Sequence, residues 1–213
     1  MLIQAKKSSD EQQERTFTET ARRAQIVQAA IETIAELGYA RASFSRIAKR
    51  AGLSSTGLIS YHFAGRDELM SEVVTEVTNT FTAFVLPRMQ EQPTKAGELR
   101  AFVESNVDFM RTHRPQLVAL LDIMASARDA DGNPLHGAGV AQADVAKLAE
   151  FLQEGQQAGE FRRFDSQVMA VAIMSLRDGV LRALAADPGL DLDHYERELV
   201  TLVALATGKG PQR

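Results

Sequence analysis

No cysteine and no tryptophan occur in this 213-residue chain, and its prolines number only six. The lack of cysteine excludes a disulfide framework, a thiol nucleophile and thiolate-ligated zinc, and it suits a reducing cytoplasm. Also absent is any apolar run approaching the roughly 18 residues that a membrane-spanning helix requires. The first residues, Met1 to Lys7, have no apolar core of a secretory signal. The expectation is a soluble cytoplasmic protein with no membrane partner. Its length is enough to bury a sizeable core, as one large domain or as a small domain joined to a larger one.

Catalytic motifs are missing too. The four histidines, His62, His113, His136 and His194, are scattered. There is no His-Glu-x-x-His pair, no Gly-x-Ser-x-Gly and no glycine-rich phosphate loop. His113, before Arg114-Pro115, and His136, after Asn133-Pro134-Leu135, read as turn residues. Asp129, Asp131 and Asn133 imitate the start of a calcium loop, but Gly132 is misplaced and no Glu closes it at the twelfth position. No catalytic residue, metal ligand or cofactor is expected, and the chain does not read as an enzyme.

What is present is charge, unevenly divided. The formal net charge of -4 conceals ten Lys or Arg against six Asp or Glu in residues 1–66, a balance of +4. The remainder holds fourteen against twenty-two, a balance of -8. A basic N-terminal part suits a polyanion, and an acidic remainder would stay off it.

Apolar spacing is helical throughout, with no convincing strand, so the fold class is all-α. Residues 1–17 are polar and mixed in charge and read as a flexible leader. Thr18 or Thr20 can start a first helix, whose Ile26, Ala30, Ile34 and Leu37 form one stripe before Gly38 stops it. A fourth helix begins near Asp67 and runs towards Leu86, where Pro87 ends or kinks it. Further amphipathic helices are expected at about 96–112, 115–129, 139–158, 165–186 and 193–207. The breaks between them are His113-Arg114-Pro115, Asp131-Gly132-Asn133-Pro134, Gly159-Glu160 and Asp187-Pro188-Gly189. A division follows into the leader, a small domain at 18–66 and a larger helical domain at 67–213.

The most informative stretch is 44–63. Ile47, Ala48 and Ala51 share a helical face, Gly52 offers a positive φ at the helix end, and Leu53 can plug the corner. Ser54 or Ser55 can cap a next helix over 55–62, whose Leu58, Ile59 and Phe63 would pack inward. Ser55, Thr56, Ser60 and Tyr61 would then remain outside. That is the pattern of a helix-turn-helix with a hydroxyl-bearing helix suited to a major groove. From spacing alone, a helical hairpin with a merely solvated polar face fits equally well.

The flanks narrow the choice. Ile47-Ala48, Ala51-Gly52, Gly57-Leu58-Ile59-Ser60-Tyr61-His62-Phe63 and Arg66-Asp67-Glu68-Leu69 together resemble the N-terminal domain of the TetR family of one-component transcriptional regulators, over roughly residues 21–81. Two departures stand out. The stretch from Ala51 to Gly57 is one residue longer than the usual pattern, and Ser60 stands where a phosphate-binding Tyr is common. The DNA-contacting candidates are Ser43, Arg46, Ser54, Ser55, Thr56, Gly57, Ser60, Tyr61, His62 and Arg66.

The resemblance implies a three-helix DNA-binding domain followed by a helical bundle for ligand binding and dimerisation. It implies a homodimer through the last two long helices, which suits two half-sites of a palindromic double-stranded operator about 34 Å apart. It further implies an unidentified small-molecule effector between the fourth helix and those that follow, with the fourth helix as a lever. Phe84, Phe102, Phe109, Met124, Met174 and Arg177 are the pocket candidates, with Asn106, Asp122 and Asp178 as further polar groups. Met and Phe at helical spacing are equally the normal filling of a helical core. The expected function is a dimeric repressor released from its operator by the effector. The alternatives are an activator, a regulator controlled by a protein partner, or a DNA-coating protein of low specificity.

Overall fold

The computed structural model describes the backbone of residues 2–128, 131–132 and 138–208, and the side chains of 18–128, 131–132 and 142–208. Asp129, Asn133 and His136, with the Asn133-Pro134 break, lie outside the described residues. Among the described residues the chain is all-α: α1 Leu2–Leu37, α2 Phe44–Arg50, α3 Gly57–His62, α4 Arg66–Gln90, α5 Lys95–Thr112, α6 Arg114–Ser126, α7 Ala138–Gln157, α8 Ser166–Ala186 and α9 Leu192–Thr207. A 3-10 turn, Tyr39–Arg41, follows α1, and one isolated antiparallel bridge pairs Phe161 with Gly208.

The chain divides into two compact units. The first comprises Met1–Val77 and Val118–Ser126, the second Thr78–Leu117 and Ala127–Arg213. The division falls inside α4, whereas the sequence suggested a boundary at the start of that helix. Leu69, Met70, Val73 and Val77, in the N-terminal part of α4, are all buried. Helix α1 also begins earlier than Thr18, running back to Leu2 through the stretch read as a leader.

In the first unit the α1 stripe is real: Ile26, Ala30 and Ile34 are fully buried, and Leu37 is half-buried. Gly38 ends the helix at φ 84°, in the region glycine adopts without a Cβ penalty. Gly52 likewise turns the chain out of α2 at φ 65°, and the Leu53 amide then donates to the Ala48 carbonyl at 2.9 Å.

In the second unit α5 packs on α9 and α7 on α8. Its core includes Leu99, Val107, Met110, Leu152, Ile173, Val180, Leu199 and Val203. Side-chain caps set several starts: Thr94, Asp165 and Asp191 each accept from a backbone amide three residues on, at 3.0 Å. At the start of α5 the Lys95 ammonium bonds Glu154 at 3.0 Å, the main reason its pKa lies above the usual lysine value. Phe161 folds against Gly155, where an added Cβ would lie 2.3 Å from the ring.

One break differs from expectation. Pro87 neither ends nor limits α4, which continues to Gln90. A proline so near a helix end removes a single amide from the ladder, and the Pro87 carbonyl still accepts from Glu91 at 3.0 Å.

Candidate nucleic-acid interface

The segment 43–63 folds as two short helices joined by a tight turn. Ser43 caps α2, its hydroxyl accepting from the Arg46 amide at 3.4 Å. Ile47, Ala48 and Ala51 are buried, as their spacing predicts. The second helix starts later than the sequence suggests, at Gly57, and Thr56 occupies its N-cap without a side-chain cap bond. Neither Ser54 nor Ser55 caps it. The turn thus spends its extra residue outside the helix, leaving Ser54, Ser55 and Thr56 exposed.

Inward, α3 buries Ile59 completely and is followed by buried Phe63. Leu58, expected to pack with them, instead is 37% exposed. On a helix this short one face suffices for anchoring, and Leu58 lies about 100° from Ile59 around the axis. Tyr61 is 75% exposed and meets the His62 ring edge-on at 5.0 Å.

Polar pins hold this pair of helices to α1 and α4. Arg23 on α1 donates to the His62 carbonyl at the end of α3, pairs with Glu68 and Glu72 at 3.5 and 3.3 Å, and lies 4.3 Å over the Phe63 ring. Gln25 donates to the Ala51 carbonyl at 2.7 Å, and Arg50 pairs with Glu32 and Glu36. Glu68 accepts from the Ala64 amide at 2.6 Å, tying down the entry to α4.

The ten candidate contacts therefore fall into two groups. Ser43, Arg46, Ser54, Ser55, Thr56, Gly57, Ser60 and Tyr61 are exposed on α2, the turn and α3. His62 and Arg66 are half-buried and engaged within the fold. The His62 Nδ1 atom is enclosed without a hydrogen-bond partner. Arg66 donates to the Ala42 carbonyl at 2.9 Å and to the Tyr39 carbonyl, with its guanidinium 4.4 Å over the Tyr39 ring. Asp122 of α6, read from the sequence as a polar group of the effector pocket, belongs to this unit, where its carboxylate accepts from the Tyr39 amide at 2.6 Å. No local pattern announces a contact between residues 83 positions apart.

The effector-pocket candidates scatter. Phe84 and Phe109 share an aromatic cluster with Phe81 and His113, with ring centroids 4.2 to 5.5 Å apart. Phe102 and Arg177 line a different depression, between α5, α8 and α9, with Asn106, Ile173 and Leu199. Met174 is buried core, and Met124 belongs to the first unit. Arg177 pairs with its own neighbour Asp178 at 2.7 Å.

Two short helices joined by a tight turn and held by α1 and α4 are the helix-turn-helix class that this geometry defines. The model of the bacterial regulatory proteins, tetR family, matches residues 26–73, the stretch from the buried face of α1 to the first turns of α4. In this segment the chain is similar to the N-terminal domain of that family. It is 32% identical over 111 residues to the HTH-type transcriptional regulator BetI of Escherichia coli O17:K52:H18, covering 51% of this chain and 56% of that protein. The chain thus spans about half the length of the curated relatives it matches. The fold is similar to the fatty acid degradation regulator FadR from Bacillus halodurans, with TM-score 0.73, 23% identity, and coverage of 89% of this chain and 99% of that one. It is also similar to AibR, solved in complex with isovaleryl coenzyme A and operator DNA, with TM-score 0.70, 19% identity, and coverage of 85% and 97%.

Proposed function

We propose that this protein is a sequence-specific DNA-binding transcriptional regulator: a cytoplasmic homodimer that represses from a palindromic operator and is released by a small molecule. The observation that carries the reading is α3 itself. It is anchored by Ile59 and Phe63, pinned by Arg23, and turns exposed hydroxyls and Tyr61 outward within the segment that matches the family. Phosphates and base edges accept hydrogen bonds from such groups in the major groove. Catalysis has no part in this reading.

Dimerisation is supported by two apolar faces. On α8, Val168, Val171 and Leu176 are exposed on one side while Ile173, Met174, Val180 and Leu184 are buried on the other. On α9, Leu202 and Leu205 are 50% and 75% exposed, opposite buried Leu199 and Val203. Contiguous exposed apolar rows of this kind mark association surfaces. For the effector, Phe102, Asn106 and Arg177 line a shallow depression between α5, α8 and α9. Release would act through α4, which has residues in both units. A ligand shifts the operator equilibrium only as far as it prefers one conformation, a coupling of about 1 to 3 kcal/mol in typical cases.

The test is a gel shift and footprint of the purified protein on the DNA upstream of its own gene. A discrete protected palindrome, weakening steeply with added salt as counterions are released, is the expected result. Absence of any sequence preference at low salt would defeat the reading, and even coating of the DNA would favour a low-specificity binder.

A further inference from the structure

The residues Ala51 to His62 read Ala-Gly-Leu-Ser-Ser-Thr-Gly-Leu-Ile-Ser-Tyr-His and contain no Arg, Lys, Asn, Gln, Asp or Glu. The bidentate contacts that distinguish base pairs most strongly use those residue types: Arg or Lys on guanine, Asn or Gln on adenine, a carboxylate on cytosine. The turn and α3 therefore lack the side chains of the strongest hydrogen-bond code. What α3 offers is an apolar side chain, Leu58, 37% exposed, one turn before Tyr61 and so on the same side of the helix.

Two observations argue that this apolar spot faces a ligand and is not incidental. Leu58 lies on the side of α3 turned away from its enclosed neighbour Ile59, among exposed hydroxyls. Beside it stands Gly57, where an added Cβ would meet nothing closer than the Ser55 hydroxyl at 3.4 Å, and whose φ is not positive. Nothing in the fold requires a glycine there. A bare backbone next to Leu58 does, however, let another molecule approach that end of α3 closely. In the major groove the apolar group within reach is the C5 methyl of thymine.

We infer that Leu58 is a specificity-determining residue that reads a thymine methyl group, and that Gly57 admits the duplex closely enough for it to do so. The inference rests on the DNA-binding reading above and names the chemical feature recognised. A half-site read this way contains a required thymine at the step opposite Leu58, and the hydroxyls of Ser54, Ser55, Thr56 and Ser60 supply weaker, less selective contacts.

The test starts from duplexes enriched out of a random library by the full-length protein. Each thymine of the enriched duplex is replaced in turn by deoxyuridine, which removes the methyl group and leaves base pairing intact. One thymine per half-site should lose about fourfold in affinity on this change, the value of one buried methyl. With Leu58→Ala the same replacement should change affinity less than twofold, and Leu58→Asn should move the enriched base at that step towards adenine. Circular dichroism of both variants, expected unchanged at so exposed a position, establishes that the helix is intact. Uracil-insensitive binding, or a methyl effect that persists in Leu58→Ala, overturns the inference while leaving the regulator reading standing. A library that yields no enriched sequence overturns both.

Discussion

The two units are stabilised in different ways. In the first, charged and polar side chains reach across sequence to backbone carbonyls: Arg23 to His62, Gln25 to Ala51, Arg66 to Tyr39 and Ala42. In the second, long helices share a core around Leu152 and Ile173 and the stacked rings of Phe109 and His113, with links such as Arg114 to the Leu184 carbonyl and Gln156 to the Phe164 carbonyl added to it. The difference follows from element length. Helices of six and seven residues cannot bury enough surface to fix their own position, so they are held by directional bonds from longer neighbours. Helices of 16 to 21 residues can.

The sharpest test of this contrast is Phe109→Ala. Phe109 is fully buried against Phe81, Phe84 and His113, and its loss should cost about 3 to 5 kcal/mol in urea unfolding. A cost near 1 kcal/mol would show that the rings merely fill space. Next, Arg66→Met keeps the aliphatic stem but abandons two carbonyls, and should cost about 1.5 to 3 kcal/mol, as for hydrogen bonds from charged donors. If thermal stability were unchanged while DNA binding fell, Arg66 would be a phosphate contact after all.

A smaller effect on folding, but a large one on assembly, is expected from Leu202→Glu with Leu205→Glu. Both sites are exposed, so the monomer should unfold within about 0.5 kcal/mol of the parent. Sedimentation should show a dimer becoming a monomer, and a persistent dimer would move the interface elsewhere. The smallest structural effect belongs to Thr56→Ala and Tyr61→Phe. Each should weaken operator binding several-fold with the melting temperature unmoved, since both hydroxyls lie on the exposed face. Unchanged binding in both would remove the reading face from the turn and α3.

Much of this architecture was legible beforehand because it is local. Gly38 and Gly52 stand where a positive φ is needed. The breaks at 113–115, 159–160 and 187–189 separate helices at nearly the expected bounds. The candidate site was legible as a motif but less so residue by residue. Arg66 looked like a cation for phosphate because its carbonyl partners lie 24 and 27 residues away. Leu58 looked like core because it is apolar and adjoins Ile59 in a helix read over 55–62, whereas the observed α3 anchors itself through Ile59 and the following Phe63 and leaves Leu58 outside.

The sequence by itself determined the all-α class, the order of helices, the helix-turn-helix and the basic-to-acidic division of the chain. The class, the helix order and the charge division follow from periodicity, from the conformational limits of glycine and proline, and from charge, all of which act within a few residues, whereas the helix-turn-helix was singled out by the resemblance carried by residues 47–69. Only the tertiary structure decided which side of α3 is free, which arginines are consumed as internal pins, and which apolar rows of α8 and α9 remain uncovered. Those outcomes depend on which distant groups come within hydrogen-bonding or van der Waals range, and no local pattern of residues encodes that proximity.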